Sequence, residues 1–246
     1  MLKKERQEYI LQQINRHNKV LSADLCTKLA VSEDTVRRDL HELAGDGKIL
    51  KVHGGALSNT LYQDTQGEIY ARQEKAIIAA KAVSLFEEGM YIMVGGGTTV
   101  REILKIVPRD LRLIFITVNL ASATELLNYT NYEVILLGGK VSRHTRFCTG
   151  GDTIMNLADV RADLCILGTN AIDAEAGISD SDYESVQVKK AMIKSSERVA
   201  VVTISEKLGS VERFHISPMN GLDYLITELP PAHEALQDYA KSCEVL

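Results

Sequence analysis

Long hydrophobic runs are missing from this chain of 246 residues. No segment approaches the ~20 consecutive apolar residues that a membrane-spanning helix needs, so no such helix and no membrane partner is expected. Cysteine is scarce. The four, at positions 26, 148, 165 and 243, show neither CxxC pairing nor zinc-type spacing, which leaves no expected metal site. Cys26 and Cys165 lie in apolar runs and read as core, whereas Cys148 sits in the polar stretch RHTRFCTGG, where a redox role stays open. The amino terminus, MLKKERQEY, lacks the apolar centre of a secretory signal, so a reduced, cytoplasmic chain is expected. A GK[ST] phosphate loop and a GxGxxG dinucleotide turn are also absent, as are internal repeats and low-complexity segments, and no cofactor is expected.

What is present begins with Val31–Ala56, VSEDTVRRDLHELAGDGKILKVHGGA. Val36, Leu40 and Leu43 fall on one face of an α-helix, suited to burial. Thr35, Arg37, Arg38 and His41 then occupy the other faces, a basic, hydrogen-bonding surface of the kind that meets phosphates and base edges. Ser32 is placed to cap this helix, and Gly45 and Gly47 to close it. Before it, Lys4 to Arg16 reads as a helix with Ile10, Leu11 and Ile14 buried. Ser22 is expected to cap a short second helix with Leu25, Leu29 and Cys26 inside, and Val31-Ser32 to make the turn. After it, Ile49 to His53 alternates as a strand and ends at Gly54-Gly55, which can turn tightly or lie against a sugar-phosphate backbone. Three helices and a β-wing describe a winged helix-turn-helix over residues 1–57. That segment carries ten Lys and Arg against eight Asp and Glu, while the rest of the chain carries 18 against 25. So small a local excess predicts weak sequence-independent binding, and favours two modules docked on a two-fold site of double-stranded operator DNA.

TVRRDLHEL followed by KVHGGA resembles the amino-terminal signature of DeoR-type bacterial transcriptional regulators. The resemblance implies that Arg37 and Arg38 contact DNA with Thr35 beside them. Ser32, His41, and the wing residues Lys51, His53 and Gly54 complete the expected DNA-binding set.

Residues 58–74 lose the pattern and read as a linker. From Lys75 onward helix and strand alternate over residues 75–246. Tyr91–Val94, Leu113–Val118, Glu133–Leu137, Leu164–Leu167, Val199–Ile204 and Tyr224–Thr227 are short, near-continuous apolar runs, which suit the buried strands of a parallel sheet. Lys75–Phe86, Thr98–Ile106 and Asp182–Glu197 have helical character. The expected fold class is α/β, a mostly parallel, Rossmann-like sheet with helices on both faces. Ligands of such sheets bind beyond the carboxyl ends of the strands. There Gly95, Gly96 and Gly97 precede Thr98 and Thr99 at a helix start, a cradle in which backbone N–H groups can approach an anion. Asn119 ends the next strand, Gly138 and Gly139 a third, and Lys207 follows a later one. Together they suggest a small, anionic, hydroxyl-rich ligand such as a phosphorylated sugar.

The resemblance extends here, along GTT, TVN, LLGG, GISDSDYESVQVKKAM and a Lys-Gly motif. It implies a sugar-phosphate sensor related in fold to ribose-5-phosphate isomerases, acting in a repressor that self-associates as a homodimer or homotetramer. By position it gives the phosphate to Gly97, Thr98 and Thr99, lines the pocket with Asn119 and Gly139, and brings Lys207 to the ligand. Two positions depart from the family pattern. Gly95 and Gly96 replace an Asp-Ser pair, and Ile204 replaces an Asp. An isomerase carrying a DNA-binding module is the alternative. Such an enzyme needs a general base, and the stretch matching the isomerases' acidic segment reads Leu167-Gly168-Thr169-Asn170-Ala171, without a carboxylate. No Ser–His or Cys–His constellation is evident either, so no catalytic residues are expected.

Overall fold

The computed structural model describes residues 1–17, 19–58 and 70–246. They form two compact units, Met1–Tyr70 and Ala71–Leu246. Within the segment expected as a linker, residues 59–69 lie outside the described residues. Its two ends are structured: Ser58 is buried and pairs with Ile49, and Arg72 opens a helix.

The N-terminal unit contains α1 (Lys3–His17), β1 (Lys19–Leu21), α2 (Ser22–Leu29), α3 (Glu33–Gly45), β2 (Ile49–Val52) and β3 (Gly55–Ser58). Its core is Ile10, Ile14, Leu25, Leu29, Val36, Leu40 and Leu43, joined by Val20, Ile49 and Ala56 from the strands. Leu11 and Cys26 are only partly buried against it. Two local expectations change. Ser22 is the first residue of α2 rather than its cap, and its N–H donates to Gly54 O at 2.8 Å. The turn after α2 is made by Ala30, in a left-handed conformation with φ 52°. Ser32 does cap α3, accepting from Thr35 N at 3.3 Å. The helix ends in a Schellman arrangement, with Lys48 N donating to Leu43 O, Gly47 N to Ala44 O, and Gly47 at φ +70°.

The hairpin of β2 and β3 gains a third antiparallel strand, β1, which pairs with β3. This crossing explains the second wing glycine. A Cβ at Gly55 would overlap the Val20 carbonyl, whereas Gly54 supplies the left-handed turn at φ +77°.

The C-terminal unit begins with α4 (Arg72–Val83), β4 (Tyr91–Val94), α5 (Thr98–Lys105), β5 (Ile114–Thr117), α6 (Leu120–Tyr129) and β6 (Glu133–Leu136). Next come β7 (Lys140–Val141), β8 (Cys148–Thr149), α7 (Gly151–Ala158), β9 (Ala162–Gly168), β10 (Ala171–Asp173) and β11 (Gly177–Asp180). The chain ends with α8 (Tyr183–Lys194), β12 (Ser196–Val202), β13 (Phe214–Ser217), β14 (Tyr224–Ile226) and β15 (Glu244–Val245). Seven strands form one wholly parallel sheet in the order β15-β14-β12-β9-β4-β5-β6. Its central strands are buried over most of their length, as their near-continuous apolar runs require. Helices α4, α5 and α6 pack side by side, and α8 packs against β9 and β12. An antiparallel sheet, β10-β11-β13, lies against α8 and has no counterpart in the sequence reading. Cys148 is buried in β8 and its thiol is pushed up by desolvation, so the polar stretch around it does not make it reactive.

Candidate functional site

On α3, Ser32, Arg37, Arg38 and His41 are exposed and Thr35 is half-buried. The Ser32 and Thr35 hydroxyls share a hydrogen bond at 2.9 Å. Arg38 Nε donates to Asp34 O at 3.3 Å, one turn back, which aims the guanidinium toward the start of the helix. Lys51, His53 and Gly54 are exposed on the wing, and the Ser22–Gly54 bond ties the wing tip to the start of α2. Arg37, Arg38 and His41 on α3, and Lys51 and His53 on the wing, are thus all exposed. Next to Arg38, Asp39 faces the other way. It is buried and takes Arg6 Nε at 2.5 Å and Nη2 at 3.1 Å, locking α1 to α3. Charge alternation in RRD gave no sign of this. The apolar stripe could have, because Asp39 precedes Leu40 on the helix face turned toward α1.

In the C-terminal unit the strand order reverses between β4 and β9, and the crevice beyond that switch point is where the glycine loop lies. Gly95 N donates to Ile166 O at 2.9 Å, and Ser122 Oγ donates to Gly95 O at 2.7 Å. Gly97, at φ +115°, immediately precedes α5. Thr98 and Thr99 are half-buried in its first turn. A Cβ at Gly96 would overlap the Asn119 amide, and one at Gly95 would press on Leu167 Cδ2 at 3.1 Å. A side chain at 96 would displace the Asn119 amide, whereas one at 95 would need only a small shift of Leu167.

Asn119 has a different use from the expected one. It is 1 % exposed, its Oδ1 caps α6 by accepting from Ser122 N at 3.1 Å, and its Nδ2 donates to Thr145 O at 2.9 Å. The side chain braces the loop instead of facing solvent. Across the crevice Gly168 packs against Gly96, with 3.1 Å between a Cβ built on Gly168 and Gly96 O. Lys207 Nζ donates to Thr169 O at 2.9 Å, so its ammonium stands at the end of β9 beside the glycine loop. Gly138 and Gly139 lie two strands away, beyond edge strand β6, where Thr153 Oγ1 donates to Gly138 O at 2.9 Å. The fold gathers Gly95–Thr99, Asn119 and Lys207 at the switch point and leaves the Gly138–Gly139 pair at the edge.

Three further groups escaped the sequence reading. Lys75, on the first turn of α4, is buried, and desolvation pushes its ammonium down to about 8 against the partial support of Glu102, Glu74 and Glu206. Glu206 adjoins Lys207 and Glu102 lies on α5, so Lys75 belongs to the same end of the sheet. Glu228 accepts from Ser205 N at 2.9 Å and from the Ser205 hydroxyl, which holds the turn that carries Lys207. Asp180 and Lys189 form a buried pair at 2.7 Å. Only buried or paired context marks these groups, and a single sequence does not display it. Among the described residues no His/Cys/Asp/Glu cluster could hold a metal, and no helix is long and apolar enough to cross a membrane.

Comparison with known proteins agrees with this geometry. Residues 6–61 match the DeoR-like helix-turn-helix domain and residues 71–229 the DeoR C-terminal sensor domain. The chain is 33% identical to the HTH-type transcriptional repressor GlcR of Bacillus subtilis, over 94% of this chain and 90% of that one. It is 28% identical to the glycerol-3-phosphate regulon repressor of Escherichia coli, over 96% and 95%. Among solved structures, eIF2B beta from Chaetomium thermophilum is similar in fold, with a TM-score of 0.50 and 17% identity over 70% of this chain and 54% of that one. Ribose 5-phosphate isomerase A from Methanocaldococcus jannaschii matches with a TM-score of 0.42 and 16% identity over 56% and 54%. The chain spans about half the length of these structures. The relatives named are repressors, not enzymes, and the isomerase alternative gains no support from them. With family models matching both of its units, the chain belongs to the DeoR family of DNA-binding transcriptional regulators.

Proposed function

We propose that this regulator is a repressor of carbohydrate-metabolism genes, released from its operator when a phosphorylated sugar occupies the crevice between β4 and β9. It works in the cytoplasm, as a homodimer or homotetramer that sets two winged modules on an inverted repeat. Ser32, Thr35, Arg37, Arg38 and His41 meet the DNA from α3, and Lys51, His53 and Gly54 from the wing. The observation that carries the effector reading is the glycine loop. Its carbonyl at Gly95 is held from behind by Ser122, its bulk is limited by Asn119, and it opens α5 with Lys207 across the crevice. Backbone N–H groups at a helix start together with a cation suit a phosphate dianion. The name of one relative, a glycerol-3-phosphate regulon repressor, also carries a small organic phosphate.

The test uses a DNA duplex selected from a random library by the wild-type protein, and fluorescence anisotropy with glucose 6-phosphate, fructose 1-phosphate, fructose 6-phosphate and glycerol 3-phosphate. At least one phosphate is expected to weaken DNA binding, and by linkage DNA weakens that phosphate's binding by the same factor. Unphosphorylated parents acting as well as the phosphates would overturn the reading. Arg37→Ala and Arg38→Ala are each expected to lose about 1–3 kcal/mol of DNA affinity. Unchanged affinity in both would remove α3 from the interface.

A phosphate beside Lys75 stabilises its ammonium, so binding at pH 8 is expected to take up protons, measured as a calorimetric heat that varies with the buffer's ionisation enthalpy. Lys75→Met abolishes that uptake. The ligand-free unit has the matching signature. The Lys75 pKa of about 8 lies below the ordinary 10.5, so the unfolded chain holds more protons between these values, and stability rises with pH across that window.

A further inference from the structure

We infer that the C-terminal unit self-associates through the free edge of β6, where a second copy pairs its own β6 antiparallel and continues the sheet across a two-fold axis; this rests on the proposed oligomer and names its surface. β6 is an edge strand, hydrogen-bonded to β5 and to no other strand. Leu137 N donates to Thr117 O at 2.9 Å, so by the alternation of a strand Ile135 also turns its backbone toward β5. Val134 and Leu136 then direct their N–H and C=O groups outward, where they have no partner among the described residues.

A free edge is ordinarily blunted by lysine, by proline or by brevity. The opposite edge of the sheet, β15, is two residues long. β6 reads Glu133-Val134-Ile135-Leu136, without lysine or proline, and Leu136 is 41% exposed. The helix beside it is no better defended. α6 carries one charged residue, Glu125, in a chain that is 25% charged. Glu125 is buried and turned toward α5, where Arg101 Nη2 stands at 3.2 Å. At about 100° per residue Leu120 and Leu127 fall on the opposite flank, the one on the β6 side, and Leu127 is 68% exposed. Exposed apolar side chains with charge removed from among them have the composition of an interface core.

The occupant that fits this edge is a second copy of the chain. Two-fold antiparallel pairing sets the start of each strand against the end of the other and keeps both α6 helices on one face of the joined sheet. Glu133, exposed at the start, then approaches Lys140, exposed beyond the end, once on each side of the axis. Lys140 stands 3.5 Å from Glu184, a contact long enough to yield to a nearer carboxylate. The apolar groups match in the same way. A groove of about 750 Å³ opens at the start of β6, with Leu127, Tyr129, Tyr132 and Glu133 in its lining. Leu136 of the second copy arrives there, carried by the far end of its strand.

Sedimentation equilibrium of the full-length protein, with residue-resolved hydrogen exchange, tests this. The wild type is expected to be a dimer or tetramer in which the Val134 and Leu136 amides are protected. Leu136→Lys and Leu127→Glu are each expected to raise the dissociation constant of this interface about a hundredfold or more, since each change occurs twice across the axis, and to release both amides to exchange. Both side chains are exposed, so the variants keep the wild-type circular dichroism spectrum. Val211→Lys, at an exposed apolar position outside α6 and β6, is expected to leave the assembly as it is. An assembly that persists unchanged in both leucine variants, or rapid exchange of the two amides in the wild-type oligomer, would overturn the β6 edge and leave the oligomer standing. A monomeric wild type would overturn both.

Discussion

Asp39→Ala is expected to destabilise the N-terminal unit by about 3–5 kcal/mol, because it strands the Arg6 guanidinium without its partner inside the α1–α3 interface. Side chains here are only 12% and 2% exposed for Arg6 and Asp39, so water cannot replace the lost bonds. For a unit of this size each kcal/mol moves the melting temperature by roughly 4–8 °C, and the total stability of such domains is only about 5–15 kcal/mol. Calorimetry of the full chain is therefore expected to show the transition of this unit lowered by more than about 10 °C, with DNA binding lost as α3 comes free. Glu42→Ala is the comparison. Its carboxylate bonds Lys3 and Gln7 on the exposed side of the same two helices, where a pair is worth at most about 1 kcal/mol. Equal effects from the two substitutions would show that the Arg6–Asp39 clamp is no stronger than a surface pair.

Lys189→Met should damage the C-terminal unit to a similar degree. Asp180 is buried and accepts from Lys189 Nζ at 2.7 Å, Asn170 Nδ2 at 2.7 Å and Ser181 N at 2.7 Å. Burial pushes its carboxyl up, but Lys189 and the N–H donors outweigh that and hold it below the ordinary carboxylate value. Its contribution is thus complete above the ordinary value and fades as the pH falls through the lowered one. Removing Lys189 leaves the carboxylate buried without its counter-charge, at a cost of about 3–5 kcal/mol. The consequence reaches the crevice, because Asn170 follows Thr169, whose carbonyl receives Lys207. Urea unfolding measures the loss, and Asp180→Asn/Lys189→Met is expected to recover part of it by removing the stranded charge. A double variant weaker than Lys189→Met alone would contradict an electrostatic origin.

The sequence by itself determined the order of the units, the third helix of the N-terminal unit with its exposed basic face, and six of the seven parallel strands. The stripe Val36, Leu40, Leu43 and the runs around Ile92, Phe115, Leu164, Val201 and Leu225 are local patterns that burial demands of any chain folded this way. It also located Gly95–Thr99 as a loop entering a helix, since glycine density is visible without coordinates. Tertiary structure alone decided what each polar group does. Asn119 braces the glycine loop through Thr145 and Ser122, Asp39 is a clamp and not a solvated charge, and Gly138 is held by Thr153 beyond the edge strand β6. The strands β1, β10, β11 and β13 were equally hidden, because three- and four-residue pairings draw their stability from distant partners such as Gly55 and Ser217. Periodicity reports which face of an element is buried. Which groups meet across that buried space depends on chain crossings between residues far apart in sequence, such as those that join Arg6 to Asp39 and Asn119 to Thr145.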